Sequence, residues 1–132
     1  MNSDLSKLKE ISLSKKKQKY VKKEKFIIAR KTRTTIRFIE KCVHNFPNEY
    51  KVLKNRIIDC CYAILEYIYR ANIFQDISEK KEVIVRIQML NFYLEEALRK
   101  ELISKKKFIN YNNHLIEIDS MVRVWFKYEK IK

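Results

Sequence analysis

The chain contains no glycine and a single proline, Pro47. That restricts its turns more than any other feature. Two-residue hairpin loops need positive φ, which glycine supplies at least cost. Without glycine, a β-meander or sandwich has little material for its corners. Proline marks the one obvious break. It lacks an N–H and clashes with the preceding turn inside a helix, but it is tolerated where a helix opens. Asn45 or Phe46 is therefore expected to end one helix, and Pro47 or Asn48 to open the next. In the stretch 45–73, Tyr50, Leu53, Ile57, Cys60 or Cys61, Ile64 and Ile68 recur at spacings of three and four, as one apolar helix face. Ile58, Tyr62 and Leu65 widen that face beyond a narrow seam.

The same period runs through the rest of the chain. A first helix is predicted over 21–45, with Ile28, Thr32, Thr35 or Ile36, Ile39, Val43 and Phe46 inward. The second covers 48–72, with Asn72 as its left-handed stop. A loop over 74–78 follows, in which Ser78 caps a third helix over 79–102. That helix faces inward through Val83, Ile87, Leu90, Leu94 and Ala97 or Leu98. Ser104 caps a fourth over 105–127, through Phe108, Tyr111, Leu115, Ile118, Val122 and Trp125. Four helices of similar length with short connections read as an all-α, up-down-up-down antiparallel four-helix bundle. The bundle is assigned to 21–128. Residues 1–20 form a basic arm, flexible or partly helical, and 129–132 a tail.

Charge narrows the function. The 132 residues carry 30 Lys and Arg against 16 Asp and Glu, a formal +14. Residues 1–41 alone carry 14 basic and 4 acidic side chains. Such an excess favours polyanion partners, most simply RNA or DNA. The candidate nucleic-acid contacts are Lys15, Lys16 and Lys17 in the arm, then Lys22, Lys23, Arg30, Lys31, Arg33, Arg37 and Lys41 along the first helix. Lys105, Lys106 and Lys107 open the fourth helix, where the helix dipole disfavours cations and a bound anion would relieve them. A solvated lysine-rich surface is the plainer account of all these residues.

Most catalytic chemistries have no foothold. There is no glycine-rich phosphate loop and no Glu-x-x-His pair for a di-metal site. Cys42 and His44 would need Cys60 or Cys61 to complete a zinc site, and their spacing fits no zinc pattern, so no metal or cofactor is assigned. Three cysteines, two of them adjacent, do not form a disulfide framework, and a reducing, cytoplasmic setting is expected. No stretch has the length of a membrane span or the apolar core of a signal peptide. Arg37 and His44 match the Arg-x4–6-His pattern of HEPN ribonucleases, in which a His serves as acid or base and an Arg steadies phosphate charge. The two are one heptad apart, a spacing that places any two helix residues on the same face. The many aromatics exceed what one small core can hide, so a homo-oligomer is expected, with Tyr62, Tyr67 and Tyr69 at the contact.

Two segments carry a family resemblance. NFPNEYKVLKNRIIDCCYAILEYIYRAN, with Phe46-Pro47, Ile57, Ile64, Leu65 and Ala71-Asn72, resembles the second helix of a bacterial four-helix-bundle family. That family includes the accessory variability determinants (Avd) of diversity-generating retroelements and proteins encoded in ribosomal-RNA intervening sequences. EALRKELISKKKFINYNNHLIEIDSMVRVW matches the end of its third helix and its fourth through Leu98, Ile103, Ser104, Phe108, Leu115, Ile118 and Trp125. Asp119, Arg123 and Val124 stand where the family often has glycines. The resemblance spans about two thirds of the chain and leaves the basic arm unexplained. It implies a non-catalytic, basic, barrel-like homopentamer that binds a reverse transcriptase and template RNA or cDNA in mutagenic copying. An intervening-sequence-type bundle without a polymerase partner is the alternative, and a HEPN-like ribonuclease a further one.

Overall fold

A computed structural model describes residues 13–130, with side chains described over 27–127. Four α-helices fill it: α1, Leu13–Val43; α2, Lys51–Phe74; α3, Ile77–Arg99; and α4, Lys105–Lys130. A single 3-10 turn, Asn48–Tyr50, leads into α2. Each helix packs on its sequence neighbours, and α4 closes the ring against α1. The result is the antiparallel four-helix bundle that the periodicity predicts.

The ends differ from expectation in instructive ways. α1 begins at Leu13 instead of 21, because a lysine-rich run with no glycine or proline has no reason to leave the helix. Of the arm placed over 1–20, residues 13–20 are thus helical and 1–12 lie outside the described residues. α1 stops at Val43, two residues before Asn45. Pro47 (φ −56°, ψ 150°) then opens the 3-10 turn, and its carbonyl accepts from Tyr50 N at 2.9 Å.

α2 passes Asn72 and ends at Phe74; Gln75, not Asn72, takes the left-handed conformation (φ 53°, ψ 40°). Its N–H donates to Ala71 O at 2.9 Å, closing an αL cap. The core sets that stop, since Ala71 is fully buried and the chain must finish the turn above it before crossing to α3. Asp76, not Ser78, caps α3: its carboxylate accepts from Ser78 N at 2.9 Å. A carboxylate also meets the positive helix end better than a hydroxyl. α3 ends at Arg99 in a Schellman motif, with Leu102 N donating to Ala97 O and Glu101 N to Leu98 O. Glu101 holds the left-handed position there (φ 59°). Ser104 Oγ accepts from Lys107 N at 3.1 Å, capping α4 as expected. α4 then continues to Lys130.

Every inward position named from the periodicity of α1 is buried, including Thr32 and Thr35. Their hydroxyls donate back to Ile28 O (2.7 Å) and Lys31 O (2.9 Å), so neither brings an unpaired donor into the core. Ile57, Cys60, Cys61, Ile64 and Ile68 carry the α2 share, and Trp125 is wholly enclosed. Lys80 is buried as completely. Its ammonium lies 4.4 Å from the Trp125 ring centroid and 3.5 Å from Trp125 O. A helix-phase reading of α3 reaches Lys80, three residues before Val83; its charge hides it from a hydrophobicity reading. Where the family resemblance would place glycines, Asp119 and Arg123 pair at 2.7 Å and Val124 is exposed.

Candidate nucleic-acid interface

On α1, the core residues occupy one side and Arg30, Arg37 and Lys41 fall within an arc of about 40° on the other, at 100° per residue, with His44 one residue past the helix end continuing that side. All four are exposed. Arg37 and Lys41 have no ion-pair partner among the described residues. Lys31 and Arg33 lie at the two edges of this face and are engaged inside the bundle. Lys31 Nζ pairs with Glu117 of α4 at 2.8 Å. An Arg33 guanidinium N–H donates to the Tyr69 hydroxyl of α2. The stripe read as one row of cations therefore divides into outward residues and two that stitch α1 to its neighbours. Lys15, Lys16, Lys17, Lys22 and Lys23 lie on α1, but their side chains are outside the described residues.

Closing α4 onto α1 adds what sequence order conceals. Lys31 meets Glu117, and the Tyr111 hydroxyl reaches Phe38 O at 3.5 Å. That antiparallel register sets the start of α4 beside the end of α1. Lys105, Lys106 and Lys107, all exposed, thus belong to the same end of the molecule as Lys41. Residues 48–101, which build α2 and α3, hold nine basic and nine acidic side chains. Leu13–Val43 and Lys105–Lys130, which are α1 and α4, hold 18 basic and 5 acidic. These two helices therefore carry +13 of the formal +14, and the α2–α3 side is neutral. A side with so large a basic excess raises the local concentration of a polyanion along its length.

The tyrosines do not share a face. Tyr62 donates to Glu40 Oε2 at 2.7 Å and Tyr69 accepts from Arg33, both on the seam with α1. The hydrogen bond to Glu40 holds the Tyr62 phenol above its ordinary pKa. Tyr67 lies on the opposite seam, 5.6 Å beneath the Arg86 guanidinium of α3.

The cysteines are packing groups. Cys60 donates to Arg86 O at 3.1 Å, and burial pushes its thiol up to about 11. Burial raises Cys61 further. Both are thiols at neutral pH, not thiolates. Among the described residues no three His, Cys, Asp or Glu side chains gather as a metal site. His44 shares the outward side with Arg37, but no second side chain orients its ring among the described residues. His114 lies half-buried on α4, apart from that pair. No helix among the described residues is long and apolar enough to cross a membrane.

Fold and surface together define a basic all-α four-helix bundle whose basic excess, among the described residues, lies on α1 and α4. No family model and no curated protein matches the sequence. Among solved structures, the chain is similar to a Bacteroides thetaiotaomicron protein of unknown function from the S23 ribosomal protein family. The TM-score is 0.72 at 20% identity, over 79% of this chain and 98% of that one. At that identity the likeness establishes a shared bundle fold.

Proposed function

We propose that the chain is a non-catalytic nucleic-acid-binding bundle, serving as the accessory subunit of a reverse transcriptase in a diversity-generating retroelement. One observation carries the nucleic-acid part: α1 and α4 carry +13 of the formal +14, with Arg37, Lys41 and Lys105, Lys106 and Lys107 free of intramolecular ion pairs among the described residues. Phosphates of RNA or DNA would lie along this side and displace counterions, without reading sequence. The polymerase partner and a homopentameric assembly rest on the motif resemblance in α2 and α4. The same resemblance leaves a second reading, an intervening-sequence-type bundle that binds nucleic acid with no polymerase.

The test is a salt titration of binding to fluorescein-labelled poly(U) and to poly(dT) of equal length. Affinity is expected to fall steeply with salt. Arg37→Gln with Lys41→Gln should flatten the slope of log K against log salt by ~0.7 for each cation in contact with a single strand. Binding of the wild type that is insensitive to salt would end the electrostatic reading. Co-purification with a reverse transcriptase encoded beside it separates the two biological settings.

A further inference from the structure

We propose that copies of this chain associate through the outer α2–α3 face, where Val52, Met89 and Phe92 surround the unpaired neighbours Arg56 and Asp59. This rests on the oligomeric part of the reading above and assigns it a surface. Charge restricts which surface two copies can share. Two chains that each carry +14 repel across any contact made through α1 or α4, because salt screens charges only beyond about 8 Å at physiological ionic strength and a contact brings them closer than that. The α2–α3 side, with equal numbers of both signs, is where two copies can approach without that repulsion.

The face is also built to be covered. A hollow of about 490 Å³ runs between the two helices, bounded by Val52, Arg56, Asp59, Arg86 and Met89 over a floor of small side chains, Cys60 and Ala63. A second hollow of about 390 Å³ shares Val52 and Arg56 with it and extends the trench past Phe92. Val52 is 71% exposed, Phe92 49% and Met89 38%. Exposed aromatic and Met side chains with Arg between them are the composition of an interface core.

The polar groups point to a second copy as the occupant. Arg56 and Asp59 stand one helical turn apart, and neither has an ion-pair partner among the described residues. Opposite charges side by side on one face form a self-complementary pattern, in which Arg56 of one copy meets Asp59 of the next. Arg86 adds to it. Its guanidinium is held over Tyr67, and its Nε is buried without a hydrogen-bond acceptor, the Glu82 carboxylate lying 3.8 Å away. A carboxylate from a neighbouring copy entering the hollow would supply that acceptor. Tyr62 and Tyr69, expected at the contact from sequence, spend their hydroxyls on α1 instead.

The experiment is light-scattering mass of the full chain, with circular dichroism to verify folding and poly(U) binding measured in parallel. The wild type is expected at a multiple of 16.2 kDa. Met89→Glu with Phe92→Glu, both at exposed positions, should run at the monomer mass with unchanged helicity. Ile116→Glu, equally exposed on the outside of α4, should leave the assembly intact. Arg56→Asp should weaken association, and adding Asp59→Arg should restore it. A wild type that is monomeric throughout overturns both the oligomer and this face. An oligomer that survives Met89→Glu with Phe92→Glu, or that Ile116→Glu dissolves equally, overturns the face and leaves the oligomer standing. Poly(U) binding retained by the monomeric variant keeps the nucleic-acid reading separate from either outcome.

Discussion

Gln75 and Glu101 are non-glycine residues in the left-handed region, at φ 53° and 59°. Each closes a helix, and each carries a Cβ that crowds its own carbonyl there, at a cost of about 1–2 kcal/mol. Replacing either by glycine removes that cost. It also loosens the unfolded chain, which takes back roughly 0.5–1 kcal/mol. The expected net gain for Gln75→Gly or Glu101→Gly is therefore about 0.5–1 kcal/mol each. Neither side chain makes a hydrogen bond or ion pair among the described residues, so little is lost with it. The two sites sit at opposite ends of α3, some 34 Å apart at 1.5 Å per residue, and their effects should add. Urea unfolding followed by circular dichroism should show the double variant about 1–2 kcal/mol more stable, with m unchanged. Glu95→Gly, on the exposed face of the same helix, should instead destabilise by about 1 kcal/mol. A double variant no more stable than the wild type would refute the assignment of both caps.

Two further outcomes follow from the electrostatics and burial. Asp76 is held below its ordinary pKa of 3.8 by the hydrogen bond it accepts from Ser78. The stability it contributes is therefore present above that value and lost as pH falls through the folded pKa, so Asp76→Ala should lower Tm at pH 7 and leave it unchanged in strong acid. Cys60 and Cys61 are buried thiols and Cys42 is half-buried. A maleimide should thus label Cys42 first in the folded protein and all three in urea; rapid native labelling of Cys60 would contradict its place against Arg86.

The sequence by itself determined the class, the number of helices and nearly every core position. A chain without glycine has few ways to turn, and period-3.6 patterning is a local property that each helix carries with it. Ser104 was legible as a cap for the same reason. The helix stops at Phe74 and Arg99 were not, because with no glycine the left-handed residues, Gln75 and Glu101, are chosen by where Ala71 and Ala97 must lie in the core. Lys80 escaped because its burial beside Trp125 joins residues 45 positions apart.

The cations divide along the same line. Arg37 and Lys41 were recognisable as outward, since phase on one helix decides that. Lys31 and Arg33 looked alike in sequence, yet Glu117 and Tyr69 claim them from other helices. Only the tertiary structure set α4 beside α1, and with it the basic side and the neutral one. Charge acts through space, and its pattern does not exist until the helices are placed.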